Sequence, residues 1–269
     1  MSRLLSLIAG GAKPVVGMVQ LPPLPGGANY RGESLASVIE AGLAEATVLA
    51  ENGVDALMVQ NLGDIPVATH ASAVQVAWMT RVTSEIGRAT GVPVGLNLLE
   101  NDAEAMFAIA SASGADFVRI KIYVGGMMTP FGVELAQAHT AIKARNAWAA
   151  ADVAIFADVH DRTGTPIATG GFEEDVEFAV RLGMADGLVI TGKTYEATLA
   201  MIGQARAKYP HIPIFAGGGV TAANFGEVVT NATGAIVSTS MKDSGSAVGR
   251  FVPAKVKEFM AVAREVRPA

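Results

Sequence analysis

The sequence contains no cysteine, which excludes disulfide bridges and thiolate metal sites. Aromatic residues make up only 6% of its 269 positions, so the core must be built from Ala, Val, Ile, Leu and Met. Charge is sparse at 17%, and 20 Lys and Arg against 25 Asp and Glu leave a formal net charge of −5. With neither a basic excess nor a Lys/Arg run, nucleic acid is set aside as a partner. The four histidines, His70, His139, His160 and His211, include no pair at ligand spacing, and no metal or other cofactor is expected. A long hydrophobic run is also missing. A membrane helix needs about 20 mainly apolar residues, and the nearest stretch, 147–159, is broken by Asp152 and Asp158. Residues 4–10, behind a single Arg3, are short for a signal-peptide core. A cytoplasmic protein with no membrane insertion is the expectation, despite a mean hydropathy of +0.38.

What is there is an apolar-rich, complex sequence, 51% hydrophobic with 30 Gly and 12 Pro, long enough to bury a large core. Short β-branched or apolar runs alternate with longer amphipathic ones. Strands are expected at 15–21, 56–61, 93–99, 117–123, 153–159, 187–191, 213–217 and 235–240. Helical patterns cover 34–52, 102–113, 172–182, 195–209 and 251–266, several with a Ser or Asp start and a Gly stop. Strands recur at roughly 30 residues, the length of one βα unit. Several helices hand over through a similar phrase: Gly53-Val54-Asp55, Gly114-Ala115-Asp116 and Ala185-Asp186-Gly187. Eight such units predict an α/β protein, a (β/α)8 barrel forming one domain over residues 1–269. An open doubly wound sheet would need a Gly-rich dinucleotide turn after the first strand, and none is present.

Strand parity sorts the inward residues. In the fourth strand Val118, Ile120 and Ile122 form the helix-facing set, which turns Arg119, Lys121 and Tyr123 inward. The third strand contributes Asn97, the fifth Asp158 and His160, and the sixth Thr191. The first contributes Gln20, and the second Asn61 or Gln60, where the parity is ambiguous. These polar residues lie late in their strands, at the end where barrel active sites are built. Asp158 and His160 read as an acid/base pair, with a purely structural network as the alternative. Lys121 reads as an anion anchor or a reactive amine; the alternative is a salt bridge to Asp158 or Glu100. Arg119, deeper in its strand, reads as a structural ion-pair partner. A divalent ion held by Asp158, His160 and Asn97 is the weaker alternative to a metal-free site. Gln20, Asn61, Asn97, Tyr123, Thr191 and Lys193 are expected to contact substrate.

After the seventh strand comes Gly217-Gly218-Gly219-Val220-Thr221, and the eighth ends in Ser238-Thr239-Ser240-Met241-Lys242. In (β/α)8 barrels these two loops often hold phosphate. Gly217, Gly218, Gly219, Ser238, Thr239 and Ser240 are therefore the expected phosphate ligands, with Lys242 able to complete the cradle. Residues 187–194 match the spacing of a P-loop, but the four middle residues of the match are themselves a strand, so the match is coincidental. The loops at 22–33, 125–132, 161–171 and 243–253 are long enough to cover the mouth.

Lys13-Pro14-Val15-Val16-Gly17, Leu21-Pro22-Pro23-Leu24-Pro25-Gly26, Asn61-Leu62-Gly63-Asp64 and the run from Pro93 to Asp102 together resemble the BtpA/SgcQ family. So do Ala157-Asp158-Val159, Val189-Ile190-Thr191-Gly192 and Gly217-Gly218-Gly219-Val220-Thr221. That family is similar to ribulose-phosphate-binding barrels, which implies a phosphate site. It takes its name from a factor needed for photosystem I assembly, and other members sit in sugar-metabolism operons or carry nucleosidase labels. This chain departs from the family pattern at Glu100, at Lys121 and Tyr123, and at His160-Asp161-Arg162, which implies a substrate of its own. The expected function is an enzyme acting on a phosphorylated sugar or nucleoside-derived sugar, by isomerisation, epimerisation, lyase chemistry or glycosidic cleavage. A non-enzymatic assembly or regulatory factor is the rival. The expected partner is a small phosphorylated molecule, and the chain is expected to form a homo-oligomer.

Overall fold

The computed structural model describes residues 1–266; residues 267–269 of the expected domain lie outside the described residues. In chain order the first half runs α1 (Arg3–Ala9), β1 (Val15–Gln20), α2 (Leu35–Glu51), β2 (Ala56–Gln60), α3 (Ala73–Thr90), β3 (Val94–Asn97), α4 (Ala103–Ser113), β4 (Phe117–Ile120), β5 (Gly126–Thr129), β6 (Gly132–Leu135) and α5 (Ala138–Ala147). The second runs β7 (Ala154–Asp158), β8 (Thr165–Ile167), α6 (Phe172–Glu177), β9 (Gly187–Ile190), α7 (Tyr195–Lys208), β10 (Ile214–Ala216), α8 (Phe225–Asn231), β11 (Gly234–Val237) and α9 (Pro253–Glu265). Eight parallel strands close into a barrel in the order β1-β11-β10-β9-β7-β4-β3-β2. The expected (β/α)8 architecture is therefore present, with all eight strands close to their expected places.

Local chemistry explains the helices. Ser34 accepts from the amide of Ser37 to start α2, which then buries Val38, Gly42, Ala46 and Leu49 on one stripe. At α3, Ser72 and Gln75 form a reciprocal capping box. Asp102 caps α4, which stops at Gly114 with φ of +76°. The recurrent handover phrase has a structural meaning. Asp55 accepts from the amide of Val15, Asp116 from that of Val94, and Asp186 from that of Ile155. Each carboxylate, placed just before one barrel strand, satisfies an amide at the start of the strand beside it, which would otherwise be left without a ladder partner.

The strands divide their side chains as parity requires. Val118 and Ile120, Leu96 and Leu98, Ile155 and Ala157, and Leu188 and Ile190 pack under the helices. Inside the barrel, Val16, Met58, Phe117, Phe156, Val189 and Phe215 form a separate apolar layer. Within it the Phe117, Phe156 and Phe215 rings meet edge to face, with centroids 5.7 and 5.2 Å apart. Helix α1 lies across the N-terminal opening and inserts Leu4 into this layer, while Arg3 pairs with Asp116 at 2.8 Å. The barrel is thus plugged at one end and open at the other.

Two differences from the sequence expectation shape the open end. Each of the eight barrel strands ends one to three residues earlier than expected, because the chain leaves the ladder there and local hydrogen bonds redirect its last residues. Residues in the expected covering loops 125–132 and 161–171 also form a small antiparallel sheet, ordered β6-β5-β8. Met127 pairs there with Pro166, and Met128 with Thr165. This pairing joins segments far apart in the chain, so local pattern could not announce it. No helix among the described residues is long and apolar enough to cross a membrane.

Replacing Leu4 by Ala is expected to cost about 2–5 kcal/mol, the range for emptying a buried leucine site. Urea unfolding of the purified variant checks this; a loss below about 1 kcal/mol would show that α1 does not plug the barrel.

Candidate functional site

The floor of the open end is an ion pair. Arg119 projects inward from β4 one layer above the phenylalanines and meets Asp158 from β7. The guanidinium Nη2 lies 2.9 Å from Asp158 Oδ2, and Nε lies 3.1 Å from both carboxylate oxygens. Arg119 is 7% exposed and Asp158 3%. Burial lifts the Asp158 carboxyl above the ordinary carboxylate range, and the Arg119 guanidinium opposes that shift. Asn97 donates to the carbonyl of Arg119 at 2.8 Å, and Gln60 donates to Asn97 at 2.6 Å. The floor is therefore a hydrogen-bonded network spanning β2, β3, β4 and β7.

Above it is a cavity of about 270 Å3, bordered by Gln20, Gln60, Lys121, Asp161, Arg162, Thr163 and Thr191, and by the 217–220 and 237–239 segments. Lys121 Nζ donates to Thr163 Oγ1 at 3.0 Å and lies 3.3 Å from Asp161 Oδ1. Burial works against ionisation of Asp161, but the nearby Lys121 and Arg119 charges and the Thr163 donors outweigh it and hold the carboxyl below its usual range. Three cations (Arg119, Lys121 and Arg162) thus face two carboxylates, and the mouth has an excess of positive charge.

That excess is placed over the glycine turn. The Arg162 guanidinium lies above Gly218, both terminal nitrogens 3.4 Å from where a side-chain carbon would begin. Among the described residues, Arg162 donates to no protein acceptor, and neither do the backbone amides of Gly218, Gly219 and Val220. Gly219 has φ of +76°, a conformation that favours glycine. Gly217 is needed for a different reason: a Cβ there would stand 1.9 Å from Thr191 Oγ1. That Thr191 hydroxyl is buried and has no hydrogen-bond partner among the described residues. A larger cavity, about 580 Å3, lies on the flank of α2 between Glu40, Glu45 and the 248–251 segment, outside the barrel axis.

The residues expected at the site divide accordingly. Lys121, Gln20, Thr191, Gly217, Gly218, Gly219, Ser238 and Thr239 line the mouth. Asp158 and His160 do not meet each other. His160 has φ of +56° and turns away to Asp175 on α6, its Nε2 2.6 Å from Oδ2. The acid/base pair read from their spacing is therefore two separate contacts, and Asp158, His160 and Asn97 form no common ligand set. Asn97 sits beneath the mouth rather than in it. Asn61 points outward into a buried carboxylate network, donating to Asp64 at 2.9 Å and to Glu100 at 2.8 Å; Gln60 takes the inward place. In that network burial, with Asp64 beside it, raises the Glu100 carboxyl.

Tyr123 is absent from the mouth because regular β4 ends at Ile120 and Asn101 captures the backbone of Ile122 through both polar atoms of its amide. The tyrosine hydroxyl then donates to the carbonyl of Gly183 on the helix side. Lys193 is exposed and does not border the cavity. Ser240 donates to the carbonyl of Val220, tying the two loops together rather than facing a ligand. Lys242 is buried against Gln20, Glu45 and the carbonyl of Ala247, at 2.8, 3.0 and 2.8 Å. Asp161, Arg162 and Thr163 were not among the expected site residues; the signals the sequence offers are their position just after the fifth strand and the departure from the family pattern at His160-Asp161-Arg162.

Replacing Arg119 by Leu leaves Asp158 buried without its partner, and is expected to cost about 3–5 kcal/mol. Adding Asp158→Leu is expected to recover most of that loss. Urea unfolding of both variants checks this; an Arg119→Leu loss under about 1 kcal/mol would mean the pair does not hold the floor.

Comparison with known proteins agrees with this architecture. The chain is 34% identical over 256 residues to an uncharacterized protein of Thermococcus kodakarensis, covering 95% of this chain and 97% of that one. It is 34% identical over 250 residues to the photosystem I biogenesis protein BtpA of Synechocystis sp., covering 92% and 86%, and 25% identical to the sgc region protein SgcQ of Escherichia coli, covering 97% of each. Among solved structures, tryptophan synthase from Mycobacterium tuberculosis superposes with a TM-score of 0.64 at 15% identity, covering 100% and 99% of the two chains. N-(5'-phosphoribosyl)anthranilate isomerase from Pyrococcus furiosus gives 0.57 at 17% identity, covering 94% and 100%. At those identities the likeness concerns the fold. The BtpA family model matches residues 11–265, and the chain belongs to the BtpA family.

Proposed function

We propose that the protein is an enzyme acting on a small phosphorylated sugar in the barrel mouth. The observation that carries this reading is the unpartnered Arg162 guanidinium above the free amides of Gly218, Gly219 and Val220. A phosphate placed between them would accept charge-assisted bonds from one side and backbone bonds from the other. The Ser238 and Thr239 side chains border the same space. The cavity, about 270 Å3, lies at the lower end of the size of small-molecule sites, about 300–1,000 Å3. That size suits a small ligand such as a pentose or hexose phosphate. The N-(5'-phosphoribosyl)anthranilate isomerase that shares this fold is named for a phosphorylated sugar derivative, which supports the reading by analogy.

At the opposite rim, Lys121 and Asp161 are placed to do the chemistry. The ammonium would hold or protonate a carbonyl oxygen as charge develops on it, and the Asp161 carboxylate would take the proton from the neighbouring carbon. This moves the acid/base role from Asp158 and His160, which are committed to Arg119 and Asp175, to the pair that borders the cavity. Asp158 would then act only by fixing the floor.

The Synechocystis relative's name supports a second reading, an assembly factor whose mouth holds no substrate. A thermal-shift and calorimetric panel of inorganic phosphate, pentose phosphates, hexose phosphates and nucleosides separates the two. A true ligand at 100 times its dissociation constant is expected to add about 2.7 kcal/mol of stability. Arg162→Ala is expected to weaken phosphate-ester binding roughly tenfold to a hundredfold, the range for a lost charged hydrogen bond. A flat panel on folded protein would favour the assembly reading, and an unchanged affinity in Arg162→Ala would remove the anion site from this loop.

A further inference from the structure

From His160 to Thr169 the chain leaves the barrel, carries Asp161, Arg162 and Thr163 over the mouth, and pairs β8 with β5 before returning to α6. Both ends of this excursion are tied to one carboxylate oxygen. His160 Nε2 lies 2.6 Å from Asp175 Oδ2, and Thr169 Oγ1 donates to the same oxygen. The tie is anchored in turn: the amide of Asp175 donates to the carbonyl of Gly171, and the amide of Gly171 donates to Thr169 Oγ1 at 3.0 Å. Asp175 is 6% exposed, whereas its neighbours Glu173 and Glu174 on the same turn bond to neither end of the loop. His160 is held with φ of +56° and its ring edge-on to Phe172, centroids 5.6 Å apart. A backbone conformation of that kind in a residue other than glycine persists only where its surroundings enforce it.

We propose that Asp175 is a positioning residue whose carboxylate closes the base of the 160–169 loop and so fixes Asp161, Arg162 and Thr163 over the mouth. Nothing else on α6 reaches both ends. A loop released at its base would have to be ordered again by each arriving ligand, and that ordering subtracts from affinity. The effect on ligand binding rests on the proposed anion site; the fixing of the loop does not.

Hydrogen exchange and calorimetry with inorganic phosphate on the full chain test both parts. In Asp175→Ala, amides of 161–169 are expected to exchange about tenfold faster while the barrel strands keep their protection. The phosphate dissociation constant is expected to rise about tenfold, the cost of ordering one or two released side chains. Thr169→Val, which removes one tie at an exposed position, is expected to move both readings in the same direction by less, and Asp175→Asn, which keeps one acceptor oxygen, to recover part of the loss. Unchanged exchange across 161–169 in Asp175→Ala would overturn the proposal, and faster exchange with unchanged phosphate affinity would overturn the part that concerns binding. If the wild-type chain takes up no phosphate, the anion-site reading fails by itself, and the exchange result still decides whether Asp175 holds the loop.

Discussion

The buried pair of Arg119 and Asp158 is the constraint on which the open end of this barrel depends. A guanidinium and a carboxylate sit directly above a layer of phenylalanines, nearly out of reach of water. Desolvation makes such a pair costly unless every remaining donor and acceptor is satisfied. The surroundings answer part of that demand: Asp158 takes three bonds from Nε and Nη2, Asp161 adds charge at 3.8 Å, and Asn97, itself bonded by Gln60, holds the Arg119 backbone. Asp161 in turn engages Lys121 and Thr163. One charged contact at the floor thus sets the charge pattern of the whole mouth, and separates an apolar lower barrel from a polar upper one.

Much of the fold was legible because two signals repeat. Apolar parity along Val118–Ile120, Leu96–Leu98 and Leu188–Ile190 identified the helix-facing side, and the Asp in each handover phrase marks a strand start. That Asp also satisfies an amide of the adjacent strand, which is why it recurs with the strand period. The signal fades at strand ends. Parity holds only while the chain stays in the ladder, so Arg119 was read correctly as inward while Tyr123, four residues later, was not. Asn61, one residue beyond β2, and His160, two beyond β7, were displaced for the same reason. In each case a local hydrogen bond (Asn101 to Ile122, Asn61 to Glu100, His160 to Asp175) won over the alternation.

The candidate site was legible on one rim and hidden on the other. Gly217-Gly218-Gly219 and the Ser238-Thr239 step stand out in the chain because small and hydroxyl residues cluster at the ends of consecutive barrel strands. Arg162 stands out only as part of the departure from the family pattern at His160-Asp161-Arg162, which does not say where its side chain lies. Its position over Gly218 depends on β8 pairing with β5 and on the two ties to Asp175, contacts between residues with no periodic relation in sequence. Lys121 and Asp161 meet for the same reason: the covering sheet joins the segment after β4 to the segment after β7. A reading from spacing favours Asp158 and His160, which are close in sequence but bond different partners, Arg119 and Asp175.

The most direct test of the central claim is the crystal structure of the protein with ribose 5-phosphate. The account predicts phosphorus density in the mouth, with phosphate oxygens within hydrogen-bond distance of the Arg162 guanidinium and the amides of Gly218 and Gly219, and the sugar directed toward Lys121 and Asp161. Phosphate bound elsewhere, on the α2 flank beside Arg250 for instance, with the mouth empty, would contradict it.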